Sequence, residues 1–248
     1  MTNKGIEEAK QAIRERVWTL LEKRHAVAPG VHGRIPAFHG ADEAADRLAT
    51  LPAWQSAQVI KAVPDKAQLP VRALALAAGK LVYMAVPMLA DEFPFYSLDP
   101  KSLTVAPADA ATKEVAAWLA RKVGVADMQS VDLVICGSVA VNRGGVRLGK
   151  GAGYSDIEMA LLQEAGLIRP STTIVTTVHS LQVVDEPLPE TEHDFSVDLI
   201  ISPEEVIQCR PSRRPRGLVW EHLSSEKIAA IPVLAARVGD SAHDRHER

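Results

Sequence analysis

The stretch Arg147-Leu148-Gly149-Lys150-Gly151-Ala152-Gly153-Tyr154-Ser155-Asp156 gathers the residues of this chain most able to do chemistry. Glycine at every second position from Gly149 to Gly153 lets the backbone take positive φ there. It also brings main-chain N–H groups close to a ligand with no Cβ in the way, as in an anion nest. Arg147 and Lys150 add full positive charge, and a helix opening just beyond adds the positive end of its dipole. A phosphate chain suits that chemistry. The competing reading is a tight turn that binds nothing, since the stretch has neither the Gly-Lys-Ser/Thr of the P-loop nor the G-x-G-x-x-G of dinucleotide folds. Asp156 suits a divalent cation, because hard cations take one or two carboxylates plus phosphate oxygens. Charge complementarity with a helix N-terminus would also account for it.

Several elements are needed to hold this stretch in place. Val131–Cys136 reads as a buried strand upstream of it. Downstream, Ser155-Asp156-Ile157-Glu158 has the form of a capping box opening a helix over 156–165 that Gly166 stops. Apolar residues at Ile6, Ile13, Val17, Leu20 and Leu21 predict a helix over 5–24, on which Lys10 and Arg14 share a face. By spacing alone that pair is a solvated basic edge. Strands are predicted at 59–63, 81–86, 172–178, 181–184 and 197–202, and helices at 41–50, 54–58, 70–78, 109–122 and 224–231. Alternating strands and helices imply a parallel sheet with right-handed crossovers. Ligands gather at the carboxyl ends of such strands, where the glycine stretch, His179 and the His193-Asp194 loop all project. Phe93-Pro94-Phe95-Tyr96 is expected to begin a surface loop whose aromatics either line a cleft or pack half-buried.

Composition limits the remaining classes. A chain of 248 residues, 47% hydrophobic and 24% charged, supports one sizeable α/β domain over 1–236, followed by a charged, mobile tail over 237–248. A net charge of −3 gives no basic field for gripping nucleic acid, although Arg210, Arg213, Arg214 and Arg216 form a local basic loop. The two cysteines, Cys136 and Cys209, sit beside apolar runs without metal spacing and read as buried thiols. The best apolar stretch, Leu74–Leu89, is interrupted by Lys80 and Pro87, so no membrane association is expected. The N-terminus has no apolar signal-like run, and a cytoplasmic location is expected.

The wording Arg-Leu-Gly-x-Gly-x-Gly-Tyr-x-Asp resembles the nucleotide loop of the 5-formyltetrahydrofolate cyclo-ligase (methenyltetrahydrofolate synthetase) family. The likeness runs along nearly the whole chain and is closest to the branch of methenyltetrahydrofolate synthetase domain-containing proteins. Further phrases that carry it are Arg34-Ile35-Pro36-Ala37-Phe38-His39-Gly40-Ala41, Pro64–Arg72 and Thr176–Asp185. The resemblance implies a single-domain, three-layer α/β/α fold with a mainly parallel sheet, of the NagB/RpiA/CoA-transferase-like kind. It implies ATP and Mg2+ as cofactors and a reduced folate as small-molecule substrate. By the same resemblance Lys10, Arg14, Gly149, Gly151, Ala152, Gly153 and Ser155 hold the nucleotide, and Arg147, Lys150 and Tyr154 serve the reaction. Asp156 holds the metal, and Gln68, Tyr154 and His179 border the substrate. The family reaction starts with the 5-formyl oxygen taking the γ-phosphoryl group of ATP. N10 then closes the ring and phosphate leaves, so positioning and charge neutralisation are the main demands on the protein.

Two positions depart from the catalytic branch. Gln68 stands where a glutamate is usual, offering one oxygen and two N–H donors in place of a carboxylate, and Ser155 stands where a second aromatic is usual. They motivate an alternative, a nucleotide-binding regulatory module that has lost turnover; a ligase for a related heterocycle is the other reading.

Overall fold

β-branched and apolar strands alternate with helices along the chain, and the computed structural model, which describes residues 3–210 and 213–243, arranges them as three layers. The first part runs α1 (Asn3–Lys23), α2 (Ala41–Ala49), α3 (Pro52–Ser56), β1 (Val59–Ala62), α4 (Leu69–Ala77), β2 (Leu81–Ala85), β3 (Phe95–Leu98), α5 (Pro107–Ala110), α6 (Lys113–Leu119) and β4 (Arg121–Val123). The second runs β5 (Val131–Cys136), β6 (Ala140–Asn142), β7 (Arg147–Leu148), α7 (Tyr154–Glu164), β8 (Ile168–Thr177), β9 (Val183–Val184), β10 (Leu199–Ile201), β11 (Val206–Gln208), α8 (Ser225–Ala230) and α9 (Pro232–His243). The main sheet has eight strands in the order β11-β10-β8-β5-β1-β2-β3-β4. Its centre, from β10 to β2, is parallel, and β3, β4 and β11 add antiparallel edges. The expected mainly parallel α/β/α architecture is therefore present.

Alternation along the strands builds a core on each face, because successive side chains point to opposite sides of a sheet. Ile60, Ala62, Val82, Met84, Leu133 and Ile135 face α1, α2 and α4, while Val59, Tyr83, Val134, Cys136 and Ile174 face α7 and α9. Both cysteines are free and buried. No helix among the described residues is long and apolar enough to cross a membrane.

Several expectations are corrected. The helix predicted over 109–122 is broken at Thr112, whose side chain accepts from the Val115 N–H to start α6, and 121–123 is an edge strand. Phe95 and Tyr96 lie in β3 within the core, where antiparallel pairing with β2 overrides the local punctuation of Pro94. The strand Val131–Cys136 lies upstream of the glycine stretch as expected but does not lead directly into it. Residues 137–148 first form β6 and β7 of a separate three-stranded sheet, order β7-β6-β9, and the turn follows β7. Nor is there a capping box: α7 starts after Gly153 with no side-chain cap, and Glu158 turns inward. Beyond Arg237, α9 continues to His243, and residues 244–248 of the expected mobile tail lie outside the described residues.

Glu158 turns inward because its partner is Lys61, a fully buried lysine in β1 whose Nζ lies 2.5 Å from Glu158 Oε2. Burial pushes the Glu158 carboxyl up from its ordinary value, and Lys61 opposes that push. Removing one member of a buried pair strands the other charge, which costs about 3–5 kcal/mol, whereas replacing both with apolar groups is often neutral. Lys61→Met should therefore lower unfolding free energy in urea by that amount, and Lys61→Met/Glu158→Leu should regain most of it.

Candidate active site

The turn 149–153 opens into a cavity of ≈ 1560 Å³, lined from distant parts of the chain. Its cations arrive by different routes. On α1, Val17, Trp18 and Leu21 are buried in the core, and the Trp18 indole N–H donates to the Arg34 carbonyl at 2.9 Å. Anchored in this way, the helix drives its basic face inward, leaving Lys10 2% and Arg14 6% exposed. Arg14 Nε donates to the Gly149 carbonyl at 2.8 Å, and burial lowers the Arg14 pKa from its ordinary value. Lys10 Nζ donates to Asp194 Oδ2 at 2.7 Å and to Thr191 Oγ1 at 3.1 Å. The solvated basic edge read from helical spacing is thus replaced by a buried one.

Arg147, at the end of β7, lies over the Phe195 ring with Cζ 4.2 Å from its centroid and donates through Nη2 to Asp156 Oδ1 at 3.0 Å. Lys150 reaches Asp65 at 3.3 Å. Burial raises the Asp156 carboxyl pKa above its ordinary value, against the pull of Arg147. At Asp194 burial acts in the same direction, but Lys10 and the donors of Thr191 outweigh it and the pKa falls below the ordinary value.

The backbone is shaped for an anion. Gly151 and Gly153 have φ of +92° and +72°, and a Cβ on Gly151 would stand 3.3 Å from Arg14 Nη1. Gly149, in contrast, does not use positive φ. Among the described residues, no backbone N–H from 150 to 156 finds a protein acceptor; the first N–H of α7 to do so is that of Ile157, on the Gly153 carbonyl. The buried Arg147 Nε and Ser155 Oγ also lack protein partners. Unpaired donors on cavity-lining residues are what a polyphosphate would satisfy.

Asp156, His193 and Asp194 bring one ligand atom each within 4.8 Å of one another. Two carboxylates are a donor set that would suit a hard cation such as Mg2+, and the imidazole is a softer addition. Sequence reading placed His193 and Asp194 near the ligand end of the sheet but did not assign them to the metal. It also passed over Lys61, which has no spacing signature, and so assigned its partner Glu158 to a capping box.

Gln68 and His179 do not line the cavity. Gln68 is fully buried, its Nε2 donating to the Thr177 carbonyl and hydroxyl at 3.2 Å each. His179 accepts the Leu181 N–H at 3.1 Å and caps a turn, and burial lowers its pKa. The basic loop is compensated at three of its members: Arg213 pairs with Glu190, Arg214 with Asp198 and Arg216 with Glu192.

The sequence pattern of the 5-formyltetrahydrofolate cyclo-ligase family matches residues 6–203. The chain belongs to that family. A methenyltetrahydrofolate synthase domain-containing protein of Mus musculus is 38% identical over 247 residues, covering 94% of this chain and 63% of the relative. The Homo sapiens protein of the same name is 36% identical over 248 residues, covering 94% and 62%. The chain thus spans less than two thirds of the length of these relatives. Among solved structures, Aquifex aeolicus 5,10-methenyltetrahydrofolate synthetase superposes with a TM-score of 0.52 at 21% identity, covering 86% of this chain and 99% of that one. That likeness is one of fold.

Two outcomes are expected for this cyclo-ligase-family site. Gly151→Ala and Gly153→Ala each force a side chain into left-handed backbone at about 1–2 kcal/mol. Only the first also crowds Arg14, so calorimetry with tripolyphosphate should show the larger affinity loss for Gly151→Ala. Asp194 has a lowered folded pKa, so its stabilising effect is present above the ordinary carboxylate range and is lost as pH falls through the folded value. The stability difference between wild type and Asp194→Asn, read by denaturation across pH, should therefore shrink to nothing in acid.

Proposed function

We propose that the chain is an ATP- and Mg2+-dependent cyclo-ligase converting 5-formyltetrahydrofolate to 5,10-methenyltetrahydrofolate with release of ADP and phosphate. The observation that carries this, beside family membership, is that Lys10, Arg14, Arg147 and Lys150 line one cavity together with a turn whose N–H groups lack protein acceptors. In this reading the formyl oxygen takes the γ-phosphoryl group of ATP, N10 bonds to the formyl carbon with loss of its proton, and the oxygen departs with phosphate. Magnesium, when bound, neutralises charge on the phosphate oxygens, and Asp156 and Asp194 would hold it with His193 alongside.

The chain's own groups supply position and charge. Lys10 and Arg14 grip the phosphates from the α1 side; Arg147 and Lys150 stabilise the charge that moves to the leaving phosphate. Tyr154 borders the place where nucleotide and substrate meet, beside Ser155. Such fixed cations and amides in a partly desolvated cleft are the main means of catalysing phosphoryl transfer. The buried free cysteines accord with the cytoplasm as the place of action.

A second reading, a nucleotide-binding module without folate turnover, is favoured by the burial of Gln68, which leaves no side chain at that position to meet a pterin. The two separate in one experiment. Incubation of 5-formyltetrahydrofolate and MgATP with the protein should give methenyl product and ADP in equal amounts, whereas calorimetric ATP binding with no ADP would select the module. If the first holds, Arg14→Ala should lower kcat/KM for ATP roughly 10- to 100-fold, the effect of a hydrogen bond to a charged group.

A further inference from the structure

The family match ends at Pro203, yet the cavity does not. Part of its wall is built by residues 215–227, which touch both the glycine turn and the His193-Asp194 loop. This segment is firmly attached. The Leu218 N–H donates to Glu164 Oε1 at 2.7 Å, Leu218, Trp220, Leu223 and Ile228 pack on the core beneath α7, and Ile231 and Leu234 are fully buried. At its far side, His222 Nδ1 meets His193 Nδ1 at 3.1 Å. Ser224 caps α8 through the Lys227 N–H at 3.1 Å, which sets the direction in which the Lys227 side chain leaves.

Lys227 reaches back to the turn. Its Nζ donates to the Ala152 carbonyl at 2.6 Å and stands 3.5 Å from the centroid of the Tyr154 ring. Lys10, Arg14, Arg147 and Lys150 each have a carboxylate within 4.0 Å: Asp194, Glu7, Asp156 and Asp65. Among the described residues, Lys227 has a carbonyl and a ring face but no carboxylate. An ammonium carries three donors, so one bond to Ala152 leaves others for an incoming oxyanion without breaking the contact. A charged donor that no fixed carboxylate competes for is the cation best able to bond an oxyanion strongly.

We propose that Lys227 is a further ligand of the phosphate chain, contributed by a segment beyond the family match, and that it grips the chain while holding the turn at Ala152. This assignment rests on the reading of the turn as a polyphosphate site and specifies which residue completes it.

The test is calorimetry of wild type, Lys227→Met and Lys227→Arg with MgATP, AMP and inorganic tripolyphosphate. Lys227→Met should weaken ATP and tripolyphosphate about tenfold or more, the usual worth of a charge-assisted bond, and AMP much less, with Lys227→Arg retaining most of the affinity. Should Lys227→Met unfold, Lys227→Gln, which keeps a donor for Ala152 but no charge, reads the same loss. Unchanged affinity in Lys227→Met overturns the proposal, as does an equal loss for AMP, which would mean that Lys227 only shapes the turn. Wild type that binds tripolyphosphate but not ATP would remove the cyclo-ligase reading and leave Lys227 standing; binding of neither removes both.

Discussion

Crowding positive charge around one backbone turn is the constraint this structure is built to meet. Cations that converge repel one another, and each loses hydration as it is buried. The fold answers by giving most of them a counter-charge from a different element: Asp194 for Lys10, Asp156 for Arg147, Asp65 for Lys150. Each pair ties two remote stretches together, so the electrostatics of the site and the tertiary contacts that define it are one network. A polyphosphate entering that network would take over cations already held in place, and little side-chain ordering would remain to be done on binding.

The sheet sets where this happens, and the cores on its two faces set how rigidly. Helix α1 brings Arg14 to the turn and Lys10 to the Asp194 loop beside it only because Val17, Trp18 and Leu21 are buried further along the helix. The turn itself hangs from the small β6-β7-β9 sheet, and Gly151 keeps the space into which the Arg14 guanidinium fits. The same logic explains Lys61 and Glu158, a buried pair joining the central strand β1 to the helix that the turn opens. Their bond ties α7 to the sheet at the cavity wall that Glu158 lines, although a buried pair of this kind is often no more stabilising than apolar residues.

Much of the architecture was legible in the residues. The β-branched run at 172–178 and the apolar strand at 131–136 carry period and composition that admit one assignment, and both are central strands. Short or antiparallel pieces were not legible. β6 and β7 are too brief for any period, so the residues show only β5 upstream of the glycine turn and not the two strands between them. Phe95 and Tyr96 follow a proline that reads as loop, yet pairing with β2 makes them core. Ser155 and Glu158 have capping-box spacing, but spacing cannot reveal that a lysine from β1 claims the glutamate.

The sequence by itself determined which chemistry was available: glycines able to bare the backbone N–H groups, basic residues in numbers suited to phosphate, and a carboxylate beside them, because these are properties of residue type and local order. Tertiary structure alone decided which of these groups meet. It withdrew Gln68 and His179 from the cavity, joined His193 and Asp194 to Asp156, and delivered Lys227 from the far end of the chain. The reason is physical: an ion pair or a cavity wall depends on distance in space, and packing across a sheet brings together residues that no local pattern relates.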